Sequence, residues 1–194
     1  MKPASPKTIG ILAFQGDVIE HEKIIISLGH TALQVRSPSD LKACQALIIP
    51  GGESTTIGLF LEQTGLNKKI IQSAHAGMPI LGTCAGAILL AKTIESNIIP
   101  PHLGLINMTI QRNAYGQQLD SFHTDLQIPK LNIKNLKAAF IRAPIIKKVG
   151  PGIQILAKHE NQIVLVRQKN LWAATFHPEL RGDNRLHQDF LSLI

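Results

Sequence analysis

Aromatic residues are scarce in this chain, with one Trp, one Tyr and six Phe among 194 residues. Cysteine is scarcer still, only Cys44 and Cys84, and no segment is of low complexity. Two cysteines cannot build a disulfide framework, so a reducing cytoplasm is the expected compartment. No apolar run approaches the ~20 residues needed to span a bilayer, so no membrane association is expected. Met1 to Lys7 passes straight into a strand-like run without a signal-peptide pattern, and residues 1–7 are expected to form a flexible tail. Acidic residues are also few, 13 Asp and Glu against 20 Lys and Arg, for a formal charge of +7. That charge invites a nucleic-acid reading, which the shortage of aromatics and the absence of any recognisable nucleic-acid module oppose. The basic residues are densest from Lys130 to Lys148. A solvated face is the default explanation, and an acidic partner surface is the sharper one.

What remains is globular in character, 44% hydrophobic and 17% charged. The length suits one domain with a sizeable core, and we expect a single domain over residues 1–194. In the first half, apolar runs alternate with stretches of helical spacing. Strands are expected over Thr8–Phe14, Ala32–Val35 and Ala46–Ile49, and again before Cys84. Helices are expected over Val18–Leu28, after a cap at Ser54 or Thr55, and over Asn67–Ala76. Such alternation implies βαβ units, a mainly parallel flavodoxin-like sheet and an α/β three-layer sandwich. The second half is strand-rich, with Leu105–Ile110, Leu126–Ile128, Ala138–Ile141, Ile153–Ala157, Gln162–Arg167 and Leu171–Phe176, so antiparallel strands are expected to extend the sheet. Glu160-Asn161-Gln162 reads as a hairpin tip, and Asn184–Ile194 as a closing helix.

The chain is organised around Pro79-Ile80-Leu81-Gly82-Thr83-Cys84-Ala85-Gly86, followed by apolar residues expected to form three or four helical turns. This is a strand turning sharply into a helix with a cysteine at the apex, the cysteine version of a nucleophile elbow. A helix N-terminus favours a thiolate there, although a buried cysteine in a β-α turn is equally ordinary. A cysteine nucleophile needs a base and a group to orient that base. Among eight histidines, His177 is the best candidate, because it follows an apolar strand and has Glu179 two residues on. In extended chain i and i+2 point the same way, and a residue before proline is biased towards extended geometry. Gly51-Gly52 after the third strand could bring backbone N–H groups to a developing oxyanion, with the N–H of Ala85 completing the site. His102, His123, His159 and His187 read as surface or core residues, and no metal cluster has plausible ligand spacing.

These motifs together resemble the class I, triad-type glutamine amidotransferases: Gly82-Thr83-Cys84-Ala85-Gly86 with His177-Pro178-Glu179. Within that superfamily the chain is most similar to the glutaminase subunits of pyridoxal 5'-phosphate synthase. The similarity is carried by Leu12-Ala13-Phe14-Gln15-Gly16-Asp17 with Glu20-His21, and by Pro50-Gly51-Gly52-Glu53-Ser54-Thr55-Thr56. It continues through His102-Leu103-Gly104-Leu105, Arg112-Asn113, Asp120-Ser121-Phe122, Phe140-Ile141-Arg142-Ala143-Pro144 and Phe176-His177-Pro178-Glu179-Leu180. The resemblance implies hydrolysis of L-glutamine to L-glutamate and ammonia, which is delivered to a synthase subunit that builds pyridoxal 5'-phosphate. It implies Cys84 as nucleophile with His177 and Glu179 completing the triad. Gly51, Gly52, Glu53, Arg112, Ile141 and Arg142 would bind glutamine, and Gln15 would sit at the oxyanion region and the partner interface. Pyridoxal phosphate is the partner's product, so this chain is expected to hold no cofactor of its own.

Three alternatives stand beside that reading. A glutaminase serving a different acceptor enzyme is opposed by the Gly51–Thr56 run, since the anthranilate and carbamoyl-phosphate relatives carry a different loop there. A related elbow-cysteine hydrolase or peptidase would typically lack the His-Pro-Glu pairing. A non-enzymatic binding module would fail to react at Cys84 with a glutamine-mimicking electrophile.

Overall fold

The computed structural model describes residues 5–112 and 121–194. Most of the 1–7 tail, and the motif residues Asn113 and Asp120, lie outside the described residues.

Ten strands form one sheet. Its first part is β1 (Thr8–Leu12), β2 (Thr31–Val35), β3 (Ala46–Ile49) and β4 (Ile80–Thr83), with β12 (Leu171–Ala174) beside β4. The order β2-β1-β3-β4-β12 is parallel throughout, as expected for strands whose crossovers are helices. These strands are nearly all apolar because both faces are covered. Successive residues serve opposite sides: Leu47 and Ile49 join one core cluster, while Ala46 and Ile48 join the other.

Helices α3 (Ser54–Gln63), α4 (Leu66–His75) and α5 (Ala85–Leu90), with the short α2 (Pro38–Lys42), cover the first face. The second face is covered by α1 (Val18–Ser27), α6 (Arg185–Leu191) and a β-hairpin. That hairpin, β7 (Phe122–Ile128) with β8 (Ile133–Phe140), is a separate two-stranded sheet and not an extension of the main one. Its aromatic residues pack onto the sheet, Phe140 lying 4.7 Å from Phe122 and 5.5 Å from Phe176 between ring centres. The sheet is extended instead by β11 (Gln162–Gln168), β9 (Ile145–Val149), β6 (Ile106–Gln111) and β10 (Gln154–His159), in antiparallel pairs. The tip joining β10 and β11 has Glu160 and Asn161 both at positive φ, 46° and 67°, as a two-residue type I′ turn requires.

Two local expectations fail. The apolar run after Cys84 makes only the six-residue α5, and Ala91 then turns extended to begin β5 (Ala91–Glu95), parallel to β6. A run buried on all sides carries no period that separates helix from strand. The cap of α3 is Glu53, whose carboxylate accepts the Thr55 and Thr56 N–H groups at 3.0 and 2.7 Å, and not Ser54 or Thr55.

Candidate active site

The first strand, β3, β4 and β12 all end at one edge of the parallel sheet, and four loops meet there. Cys84 stands at the apex between β4 and α5 with φ 47° and ψ −102°, a conformation that costs a residue with a Cβ on the order of 1–3 kcal/mol. The strain therefore falls on the cysteine itself. The flanking glycines serve close approach: a Cβ on Gly82 would lie 2.6 Å from the Gly86 carbonyl, and one on Gly86 would collide with the Ile49 carbonyl. The Cys84 N–H is anchored on the Ala174 carbonyl at 2.9 Å, so the elbow is tied to β12.

Just beyond that anchor, β12 delivers His177. Its backbone N–H donates to Ala139 at 2.8 Å and its carbonyl accepts from Ala139 at 3.4 Å, a bridge that fastens His177 to the end of β8. His177 Nδ1 lies 2.8 Å from Glu179 Oε1. The pairing arises differently from the extended i, i+2 geometry, because Pro178 is helical at φ −68°, ψ −26° and opens a 3₁₀ turn over Glu179–Arg181. A proline ring holds φ near the value this turn needs, and the turn swings the carboxylate under the ring.

A second carboxylate also reaches the base. Asp17 Oδ2 is 3.0 Å from His177 Nδ1; it belongs to the Gln15-Gly16-Asp17 loop but was not among the expected site residues. Its sequence signals are that loop's position after the first strand and its place in the Leu12–Asp17 stretch that carries the family resemblance, neither of which assigns it a role. Burial works against protonation of His177, but the contacts with Asp17, Cys84 and Glu179 outweigh it and push the imidazole up to about 12. Asp17 is held below the usual carboxylate range, chiefly by its hydrogen bond with His177. Burial pushes Glu179 up, against the opposing pull of His177. The three ligand-type atoms of Asp17, His177 and Glu179 lie within 4.8 Å of one another, a cluster that sequence spacing did not suggest. His177 Nδ1 makes its hydrogen bond with Glu179 at 2.8 Å, while Asp17 stands at ion-pair distance, 3.0 Å.

Behind Glu179 lies a buried histidine pair. His21 Nε2 is 3.5 Å from Glu179 Oε1 and 3.4 Å from Thr83 Oγ1, and its Nδ1 meets His187 Nε2 at 3.0 Å. Burial pushes both imidazoles down, His187 to about 4. His187 is thus a core residue, as expected, while His21 makes contact with Glu179.

A pocket of about 440 Å³ opens over Cys84. Gln15, Gly52, Glu53, Ala85, Arg112, Ile141, Arg142 and His177 all line it with Cys84, which brings together nearly every residue expected at the site. Glu179 is not in the lining, since it sits behind His177, and neither is Gly51, which is buried behind the wall, where a Cβ would collide with the His177 ring. Gly51 lets the ring sit close and does not face the pocket. The Gln15 side-chain oxygen accepts the Glu53 N–H at 3.1 Å, tying the first loop to the third. Glu53 Oε1 receives Arg112 Nη2 at 3.1 Å, and Arg112 Nη1 donates to the Ile98 carbonyl at 3.0 Å. Burial opposes ionisation of Glu53, but the Thr55 and Thr56 N–H groups overcome it and hold the carboxyl below its usual range. Ile141 offers its carbonyl, 3.9 Å from Cys84 Sγ, and Arg142 follows at φ 42°. The basic residues from Lys130 to Lys148 are exposed.

The sequence profile of the SNO glutamine amidotransferase family matches residues 11–194. The chain belongs to that family. The pyridoxal 5'-phosphate synthase subunit PdxT of Herpetosiphon aurantiacus is 52% identical over 189 residues, covering 96% of this chain and all of that one. The protein of the same name from Desulforamulus reducens is 48% identical over 186 residues, 96% of this chain and 98% of its own. A solved structure described as a glutamine amidotransferase superposes with a TM-score of 0.90 at 42% identity, over 95% of this chain and 97% of the other. PurLQS from Thermotoga maritima, at 17% identity and a TM-score of 0.71, shares the fold alone. A Cys-His-Glu arrangement at the end of a mainly parallel sheet is thus found here in a glutamine amidotransferase. Among the described residues, no helix is long and apolar enough to cross a membrane.

Proposed function

We propose that this chain is the glutaminase subunit of a pyridoxal 5'-phosphate synthase, hydrolysing L-glutamine to L-glutamate and ammonia at Cys84. The observation that carries this reading is the meeting of Cys84 and His177 in one pocket, with Glu179 hydrogen-bonded to His177 behind it, in a member of the glutamine amidotransferase family.

In the reading we favour, the Cys84 sulfur attacks the side-chain amide carbon and the carbonyl oxygen takes up the negative charge. The backbone N–H groups of Gly52 and Ala85, both at the pocket wall, stabilise that oxyanion. His177, its Nδ1–H held by Glu179, gives its other proton to the departing nitrogen. The C–N bond breaks, ammonia leaves and a γ-glutamyl thioester remains on Cys84. His177 then takes a proton from water as that water attacks the thioester, and glutamate and the thiol are released. Glu53 and Arg112 form an opposed pair that suits the α-amino and α-carboxylate groups of the substrate. Ile141 contributes its backbone beside the sulfur, and Arg142 adds positive charge at the rim.

The relatives above are named as one subunit of a pyridoxal 5'-phosphate synthase; in this reading another subunit of that synthase accepts the ammonia, and a hetero-oligomeric complex follows from that role. A nucleophilic thiol needs a reducing compartment, which supports the cytoplasm as its location. The two cores share one sheet, in keeping with a single amidotransferase domain over 1–194. Glutamate release from L-glutamine, measured with and without the synthase subunit, tests the reading. Activity that rises on adding the synthase supports both reaction and partner. Activity indifferent to the synthase points to another acceptor, and none in either case overturns the glutaminase.

A further inference from the structure

His177 presents a single Nδ1 to two carboxylates, Glu179 Oε1 at 2.8 Å from the buried side and Asp17 Oδ2 at 3.0 Å from the pocket side. The N–H points at Glu179, with which it makes the hydrogen bond, and Asp17 stands beside it as a close ion-pair contact. The two acceptors differ in surroundings. The Glu179 side chain is fully buried and the Asp17 side chain is 30% exposed, so Asp17 is the one that can exchange with solvent and respond to a ligand entering the pocket. The chain is built to allow this approach. At Gly51 a Cβ would strike the ring at Cε1 and lie 3.1 Å from Asp17 Oδ2, so a side chain there would part the two groups. Gly16, next to Asp17, packs against the Gly51 carbonyl in the same way.

We propose that Asp17 is a second positioning carboxylate for His177, holding the imidazolium and its tautomer from the pocket side while Glu179 holds them from below. This rests on the glutaminase reading above and adds a residue to it. Asp17 touches neither the sulfur nor the reacting amide; it acts through the ring. The other charged or titratable groups facing His177 are Glu179 beneath, Cys84 across the ring and neutral His21 beyond Glu179, with Glu53, Arg112 and Arg142 further round the pocket. With Asp17 ionised, the pair of carboxylates favours a Cys84 thiolate facing a His177 imidazolium. Removing that charge favours the neutral pair, so the thiolate should form at higher pH and the imidazolium should lose its proton at lower pH.

The test compares wild type with Asp17→Asn and Asp17→Glu, each with the synthase subunit present for turnover, and each alone for alkylation of Cys84 by iodoacetamide across pH. For Asp17→Asn we expect a roughly ten-fold fall in kcat with KM within about two-fold, as for loss of one close, partly buried ion-pair contact felt in the transition state. We also expect a pH–rate profile narrowed on both sides, and an alkylation midpoint moved to higher pH. Asp17→Glu, which keeps the carboxylate, should restore most of the width. An unchanged alkylation midpoint and an unchanged profile width in a folded Asp17→Asn protein overturn the proposal. The alkylation arm needs no turnover: wild type inert towards glutamine would sink the glutaminase reading, while the Asp17 comparison would still be decided by Cys84 reactivity.

Discussion

Ala139 and His177, 38 residues apart, exchange both backbone hydrogen bonds, at 2.8 and 3.4 Å. The bridge makes the β7–β8 hairpin part of the active-site frame. It sets the base at one end of the pocket and carries Ile141 and Arg142 to the other side of Cys84. A small accessory sheet therefore closes the site that the parallel sheet opens.

The hairpin's hold should be measurable through Phe140, which stacks on Phe122 and meets Phe176, the residue before the base. Phe140→Ala is expected to destabilise the fold by about 3–5 kcal/mol and to lower kcat as well, since the cavity opens beside His177. Denaturant midpoints and turnover check both. A variant as stable as wild type would show that the aromatic stack does not secure the hairpin.

Cys84→Ala should abolish glutamine hydrolysis and leave the fold intact, as read by circular dichroism and a glutamate assay. Because Cys84 sits at φ 47°, Cys84→Gly should be more stable than Cys84→Ala by about 1 kcal/mol, the strain being relieved. Equal stabilities would place the strain elsewhere; surviving turnover would remove the nucleophile.

Glu179→Gln should reduce kcat much more than it changes KM, because the amide can no longer stabilise an imidazolium from the buried side. A loss confined to glutamine affinity would contradict its role in orienting the base.

Arg112 is bound to Glu53 and to the Ile98 carbonyl, a rigid fork placed for a carboxylate. Arg112→Lys should raise KM for glutamine by roughly ten-fold with a smaller effect on kcat, since a point charge replaces a two-pronged donor. Steady-state kinetics distinguish this from the reverse pattern, which would assign Arg112 to the chemical step.

Stability should fall in mild acid because of His187, which is fully buried and held down to about 4. In the unfolded chain a histidine binds its proton near 6.5, so the unfolded state takes up protons first. The contribution is complete above about pH 6.5 and is lost as pH falls towards about 4, by about 3 kcal/mol in all. His187→Gln should flatten the dependence of thermal midpoint on pH across that window, and an unaltered slope would exclude this histidine as its source.

Some of this was legible residue by residue. The strands Thr8–Leu12, Ala46–Ile49 and Ile80–Thr83, with no polar residue but the threonines at the ends of the first and last, could be placed because burial on both faces favours such composition. The elbow at Cys84 and the His177–Glu179 pair were visible for a local reason: each lies within a few residues of chain. Leu89, Leu90 and Ala91 were not, since an apolar stretch in the core looks the same as helix or strand. Glu53 was missed as a cap because its glutamate stands where a serine is the commoner choice.

The sequence alone therefore determined the fold class, the elbow that presents Cys84, and the pairing of His177 with Glu179, since those are written in short-range pattern and turn chemistry. Only the tertiary structure decided that Asp17 lies 3.0 Å from His177 Nδ1, that His21 and His187 stand behind Glu179, and that Gly51 makes room for the His177 ring rather than facing the pocket. Those groups come from loops and helices far apart in the chain. Their distances are set by how strands register and how closely backbones approach, which no local pattern encodes.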